Sequence, residues 1–147
     1  MENRIKYKTR LAAIQLVSQQ LVNSQDIESI KDDFDKHYRN TQLDNTSEKI
    51  EYNVNFLSKL VNYFKTIDIE NVSEEINKLI KFDRKFEKWD TINKAIVLVA
   101  VGELRNSEKE KIKIILNDYI EISKSFVHLK ATKFINAILD KMINAEK

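Results

Sequence analysis

The sequence predicts an all-α protein, and three observations support that prediction. The chain of 147 residues contains one glycine and no proline, so it has few of the residues on which the tight turns of a β-sheet depend. Apolar residues recur at spacings of three and four, as they do on one face of an amphipathic helix. Hydrophobic residues make up 42% and charged residues 33%, which is typical of a globular chain with a substantial core. We therefore expect one domain, residues 1–147, built from about seven helices.

The first two helices are predicted by an apolar stripe with this spacing. The first is expected to cover residues 4–22, and the second to begin after a capping residue at Ser24 or Asp26. The polar stretch 39–46 that follows predicts a loop. The stripe residues are Leu11, Ile14, Val17 and Leu21 in the first helix and Ile27, Ile30, Phe34 and Tyr38 in the second.

The third and fourth helices each follow a pattern typical of a capping box, in which side chains at a helix start accept hydrogen bonds from otherwise unpaired backbone amides. Asn45 with Glu48 forms such a pattern before the third helix, and residues 71–74 form another before the fourth. The stripe residues are Ile50, Val54, Leu57, Val61 and Phe64 in the third helix and Ile76, Leu79 and Ile80 in the fourth.

The fifth element is a run of seven consecutive apolar residues, 95–101. Several of them are β-branched, which also suits a buried strand. A capping residue at Asp90 or Thr91, and the lack of turn residues nearby, favour a buried helix. Two further helices are predicted by Ile112, Ile115, Leu116, Tyr119, Ile122 and Phe126, and by Ala131, Ile135, Ile138, Leu139 and Met142.

Several kinds of site are disfavoured by the residue content. The absence of cysteine excludes disulfides, thiolate metal sites and cysteine nucleophiles. His37 and His128 are far apart, and neither is followed three or four residues later by a histidine, aspartate or glutamate, so we expect surface or helix-end positions for both. Gly102 alone cannot form a glycine-rich phosphate loop. We therefore expect a protein that is not an enzyme and uses no metal or cofactor.

No apolar run approaches the roughly 20 residues that a membrane-spanning helix requires. The first residues also lack the apolar segment and small-residue cleavage site of a signal peptide. Together with the absence of cysteine, these features predict a cytoplasmic bacterial protein.

The beginning of the chain is basic, although the net charge of the whole chain is only +2. Arg4, Lys6, Lys8 and Arg10 place four cations within seven residues. On a helix, these residues form two like-charge pairs four residues apart, and they also oppose the helix macrodipole. Each effect costs a few tenths of a kcal/mol. The cluster is therefore either a frayed, solvated helix end or a contact surface for nucleic acid.

Four segments together carry a family pattern. They are TRLAAIQLVS at 9–18, INKAIVLVAVGEL at 92–104, NDYIEISKSF at 117–126 and KFINAILDK at 133–141. They resemble the A-R-E-x-A-x-Q-A-L-Y, [LV]-D-R-A-I-L-R-L-A-x-Y-E-L, N-E-A-[IV]-E-L-A-K-x-F and K-F-V-N-G-[VL]-L-D motifs of the NusB family of bacterial transcription antitermination factors.

The resemblance implies a fold and a function. The fold would be about seven helices in two packed three-helix-like bundles. The protein would bind the single-stranded boxA element of ribosomal RNA leaders together with NusE, a ribosomal protein that also acts in transcription. The pair would then assemble on RNA polymerase and suppress premature termination, without covalent chemistry.

The resemblance also implies which residues contact the partners. Phe134 lies about 80° from the centre of the apolar stripe of the last helix. Its ring either packs at the edge of the core or stacks an unpaired base while neighbouring lysines hold phosphates. The family uses the equivalent phenylalanine to contact RNA, and Glu87 occupies an acidic family position near NusE. The RNA-contacting residues implied are Arg4, Lys6, Lys8, Arg10, Arg84, Lys130, Lys133, Phe134 and Lys141.

Two alternatives remain open. The first is a NusB-like domain that assists ribosomal RNA modification or processing, which would need a separate catalytic partner. The second is a helical adaptor that keeps the fold but has lost RNA binding. Ser18, Asn93 and Gly102 differ from the tyrosine, aspartate and tyrosine usual in the family, and several family arginines are lysines here. Trp89, which precedes the buried helix, is expected to be a core residue.

Overall fold

A computed structural model describes residues 1–39, 51–79, 84–126 and 129–145. Within these ranges the chain forms α-helices and one short 3₁₀-helix, and it contains no strand. The all-α prediction is therefore confirmed. The α-helices are α1 (Asn3–Asn23), α2 (Ile27–Arg39), α3 (Val54–Lys65), α4 (Ile69–Leu79), α5 (Thr91–Arg105), α6 (Lys109–Phe126) and α7 (Leu129–Ala145), and the 3₁₀-helix is Phe86–Lys88.

Helix α5 is the centre of the fold. Its residues 95–104 are all buried, so the predicted buried helix is confirmed. On one side α5 contacts α1 and α3, which pack against each other and against α2. On the other side it contacts α6 and α7, and α7 also packs against α4. Helix α5 thus lies between two groups of three helices, namely α1, α2 and α3 on one side and α4, α6 and α7 on the other. This arrangement agrees with the expected pair of bundles.

Gly102 permits a close approach between α5 and the end of α3. A Cβ atom at this position would lie 3.3 Å from the Tyr63 carbonyl carbon, 3.3 Å from the Phe64 nitrogen and 3.3 Å from Ile67 Cδ1. Two of these neighbours are backbone atoms, which cannot rotate away as a side chain can. The small residue therefore sets the distance at which α3 packs on the central helix.

The helix starts differ from the predicted capping boxes. Helix α3 begins at Val54, and the side chain of Asn53 accepts a 2.8 Å hydrogen bond from the Phe56 amide. The box predicted at Asn45 and Glu48 lies outside the described residues. The box predicted at 71–74 is wrong, because these residues lie inside α4. The carboxylate of Asp68 accepts from the Asn71 amide at 3.3 Å instead.

Ser24 does not cap α2, as one prediction had it, but ends α1. Its backbone is left-handed, with φ of 56°, and its N–H donates to the Gln20 carbonyl at 2.8 Å. This geometry satisfies one of the free carbonyls at a helix end. The carbonyl of Asp26 accepts from the Ile30 amide at 3.1 Å, as expected for the residue before α2.

Candidate nucleic-acid interface

The start of α1 carries the predicted basic cluster. Arg4 is exposed and pairs with Glu51 at 2.8 Å and with Glu2 at 3.5 Å. Lys6 and Lys8 are partly exposed, and neither has a carboxylate within ion-pair distance among the described residues. The two lysines are therefore the cations of this cluster that are available to bind phosphate.

The first turns of α1 are held in place from two sides. Thr9 is fully buried, and its hydroxyl donates to the Ile5 carbonyl at 2.7 Å and accepts from the Asn53 amide at 2.9 Å. The hydroxyls of Tyr7 and Ser125 lie 3.2 Å apart. The hydrogen bond from Asn53 ties α1 to the start of α3, and the contact between Tyr7 and Ser125 ties α1 to the end of α6. The basic turns are thus fixed beside the C-terminal end of α6 rather than frayed.

Helix α7 continues this region from the end of α6. The hydroxyl of Ser123 in α6 donates to that of Thr132 in α7 at 3.4 Å, both side chains being buried. The next residue, Lys133, is exposed. Phe134 is 37% exposed, whereas Ile135 and Ile138 are fully buried. The expected place of the Phe134 ring at the edge of the core is confirmed, and its contact with RNA stays a prediction.

Two other predicted cations lie at different points. The ammonium group of Lys141 donates to the Leu79 carbonyl at 3.4 Å, which places it where α7 meets the end of α4. Arg84 is exposed and precedes the 3₁₀-helix, which packs against α4. Arg84 is therefore placed with α4, whereas the basic turns of α1 lie between α3 and α6. The side chain of Lys130 lies outside the described residues.

Arg10 is not the exposed cation that was expected, because the structure buries it to 4% exposure. Its Nε donates to Oε1 of Glu103 at 2.9 Å and its Nη2 to Oε2 at 2.7 Å. Its Nη1 donates to Oδ2 of Asp118 at 2.9 Å. The reason is visible in the helical spacing: Arg10 precedes Ile14 by four residues and Val17 by seven, so it lies on the buried face of α1.

The buried carboxylate of Glu103 completes a charged network that the sequence did not reveal. It also accepts a 2.7 Å hydrogen bond from the hydroxyl of Tyr119. Burial lowers the pKa of Arg10, but the hydrogen bond and charge of Glu103 outweigh it and raise that pKa above its usual value. Burial, followed by the charge of Glu103, raises the pKa of Tyr119. The guanidinium therefore stays charged and the phenol neutral at ordinary pH.

Glu87 lies in the 3₁₀-helix and is fully exposed. Its carboxylate accepts from the side-chain NH₂ group of Asn77 at 3.1 and 3.4 Å, and the side-chain Oδ1 of Asn77 accepts from the Phe86 backbone amide at 2.9 Å. A hydrogen bond from its own backbone amide, followed by the Asn77 bond, lowers the pKa of Glu87.

Phe86 is buried and meets Trp89 edge to face at 5.3 Å between ring centres. Trp89 packs against the core but is only partly buried, so it is not the fully buried core residue that the sequence predicts.

A cleft of about 400 Å³ opens next to Glu87, between the end of α1, the start of α4 and α5. Glu70, Glu74, Glu87 and one cation, Lys94, line it together with the apolar side chains of Leu21 and Ile69, which form its accessible floor above the buried Phe86 and Leu98. Three carboxylates around an apolar floor suit a partner segment that carries both cations and apolar side chains.

Two of the positions that depart from the family pattern carry unsatisfied polar atoms. The oxygen atoms Ser18 Oγ and Asn93 Oδ1 are buried and have no hydrogen-bond partner among the described residues. A buried polar atom without a partner costs about 1–3 kcal/mol.

His37 is exposed, as expected, and its ring meets that of Tyr38 edge to face; His128 lies outside the described residues. No helix in the described part of the chain is long and apolar enough to cross a membrane.

The helical fold and the exposed cations of α1 and α7 define a small all-helical protein with a candidate nucleic-acid interface. The NusB family model matches residues 7–144, and the chain belongs to the NusB family.

Curated relatives share part of this sequence. The transcription antitermination protein NusB of Shewanella frigidimarina is 34% identical over 87 residues, which cover 56% of this chain and 65% of that protein. The NusB protein of Haemophilus influenzae (strain PittEE) is 38% identical over 78 residues, which cover 53% of each chain. These matches span between about half and two thirds of the length of the relatives.

Two solved structures have the same fold. A crystal structure of a plectonemic RNA supercoil contains a chain that superposes with a TM-score of 0.72 at 17% identity and covers 97% of this chain and 96% of that one. A crystal structure of the antitermination factors NusB and NusE in complex with dsRNA gives a TM-score of 0.71 at 17% identity, covering 98% and 99%. At this identity the likeness establishes the helical arrangement.

Proposed function

We propose that this protein is a transcription antitermination factor. In this role it binds boxA-type single-stranded RNA of ribosomal RNA leaders together with NusE and assembles on RNA polymerase. The observation that carries the proposal is the pair Lys6 and Lys8 on turns of α1 that are fixed beside the end of α6. Membership of the NusB family supports it. The protein acts by binding rather than by catalysis, in the bacterial cytoplasm where nascent RNA is made.

The RNA surface combines cations and one aromatic ring. Lys6 and Lys8 bind phosphates, because neither ammonium group is neutralised by a described carboxylate. Phe134 stacks an unpaired base beside Lys133, since a ring with 37% of its surface exposed can present a face to a base. Lys130, Lys141 and Arg84 extend the surface toward the ends of α7 and α4. Arg4 joins it by exchanging its exposed carboxylate partners for phosphate.

The NusE surface is the cleft beside Glu87. Exposed carboxylates next to an apolar floor favour a basic partner segment, and ribosomal proteins carry many cations because they bind RNA. Glu87→Lys is expected to slow association with NusE, mainly through the on-rate, because Glu87 lies at the exposed rim. Unchanged association kinetics would show that Glu87 lies outside the docking surface.

Filter binding with boxA-like RNA, with and without NusE, tests the proposal. We expect specific binding to the boxA-like sequence that becomes tighter when NusE is present. Equal binding of boxA-like and scrambled RNA under both conditions would contradict the boxA role. It would leave RNA modification or processing, with a separate catalytic partner, as the function to test.

A second candidate function is a helical adaptor without RNA binding. The state of two of the four cations of the basic cluster favours it: Arg10 is buried, and Arg4 is paired with carboxylates. Such an adaptor would still bind NusE through the cleft beside Glu87. Association with NusE in the absence of any measurable RNA affinity would identify it.

A further inference from the structure

The network of Arg10, Glu103, Asp118 and Tyr119 joins helices from distant parts of the chain. Arg10 lies on α1, Glu103 on α5, and Asp118 and Tyr119 on α6. The guanidinium group makes three hydrogen bonds to carboxylates, and it also lies 5.4 Å from the centre of the Phe56 ring of α3. Stability alone does not require such a group, since apolar side chains of similar volume often stabilise a core as well as a buried ion pair does.

Arg10 lies within about one helical turn of the two partly exposed lysines of α1. Lys6 precedes Arg10 by four residues and Lys8 by two, and Tyr7, which lies between the lysines, contacts Ser125 of α6. The planar guanidinium fits a carboxylate in a defined orientation. Because the network fixes the side chain of Arg10, it also fixes the rotation of the first turns of α1 and their distance from α6.

We propose that Arg10 is a positioning residue for RNA binding, and that its pairing with Glu103 holds Lys6 and Lys8 beside the end of α6. Arg10 acts through α1 and does not touch RNA. The inference rests on the proposed function, since it assumes that these lysines bind RNA. A positioning role for Arg10 and a direct phosphate contact predict opposite changes in RNA affinity when the partner of Arg10 is altered.

The variant Glu103→Gln separates the two roles by the sign of its effect. If Arg10 bound phosphate, removal of the buried carboxylate charge would free the guanidinium and raise RNA affinity. In the positioning role, an amide NH₂ group replaces one of the two acceptor oxygens, so one of the two hydrogen bonds from the guanidinium group is lost and its orientation is no longer fixed. RNA affinity then falls by about threefold to tenfold. Glu110→Gln, at an exposed position on α6, is the control for loss of one negative charge.

The experiment measures filter binding of boxA-like RNA at a temperature where circular dichroism shows both variants folded. It also measures amide hydrogen exchange of residues 4–8. We expect weaker binding and faster exchange at 4–8 in Glu103→Gln than in Glu110→Gln. Affinity equal to or above that of Glu110→Gln, or unchanged exchange at 4–8, would overturn the inference.

A triple variant covers the case in which Glu103→Gln does not fold. Arg10→Met with Glu103→Met and Tyr119→Phe removes both buried charges and the buried hydroxyl that donates to Glu103, and it is expected to fold. It should bind RNA at least threefold more weakly than the unchanged chain, and full affinity would overturn the inference. Failure of the unchanged chain to bind RNA is a separate result, because it contradicts the proposed function before any variant is compared.

Discussion

Replacing Phe134 with alanine distinguishes base stacking from core packing. The side chain is 37% exposed, so roughly two thirds of it is buried at the edge of α7. Deleting a fully buried phenylalanine costs roughly 3–5 kcal/mol, which scales to about 2–3 kcal/mol for this residue. If the exposed face stacks one base, RNA affinity should fall by about 1–3 kcal/mol in addition.

Urea unfolding, followed by circular dichroism, measures the loss of stability. RNA titration at a temperature where the variant is fully folded measures the loss of RNA affinity. Ile138→Ala is the matched control, because Ile138 lies on the same helix and is fully buried. It should lose about 2–5 kcal/mol of stability and keep its RNA affinity when folded. Wild-type RNA affinity in folded Phe134→Ala would refute stacking and leave the lysines as the contacts.

The remaining predictions concern charge and packing. Lys6→Gln with Lys8→Gln should weaken binding to all RNA sequences and reduce the slope of log affinity against log salt by about 1.4, or 0.7 per phosphate, with an unchanged melting temperature. Glu51→Gln should raise RNA affinity, measured by RNA titration, because it removes the carboxylate that pairs with Arg4 at 2.8 Å. Lower RNA affinity would contradict this prediction. Gly102→Ala should lower unfolding free energy by up to about 2 kcal/mol, as contact with the α3 backbone outweighs the gain of about 1 kcal/mol in helix propensity. Increased stability in urea would show that α3 can move away.

The arrangement of helices could be predicted because each apolar stripe is a local pattern. The run 95–101 is predicted as a buried helix from a capping residue before it and from the lack of turn residues nearby. The helix starts were less predictable, because several polar residues near each boundary could serve as caps. Asn53 and Asp68 cap their helices in the structure, while Ser24 adopts a left-handed conformation that ends α1. Tertiary packing determines which of these polar residues caps a helix, and the local sequence does not contain that information.

The candidate site was predictable only in part, for the same physical reason. The position of Phe134 follows from its angle to its own stripe, which is local. The burial of Arg10 depends on Glu103, which lies 93 residues away in the sequence. Its spacing from Ile14 and Val17 did place it on the buried face, but a charged residue is seldom buried without a partner. The sequence does not show that Arg10 pairs with Glu103, and its burial could not be predicted without that pairing.

The most direct test of the central claim is the salt dependence of boxA-like RNA binding in the presence of NusE. With about three phosphates bound by Lys6, Lys8 and one lysine of α7, log affinity should fall against log salt with a slope near −2 on a single strand. Scrambled RNA should bind more weakly at every salt concentration. Affinity that does not change with salt, or equal affinity for the two RNAs, would contradict a basic interface for boxA-type RNA on this fold.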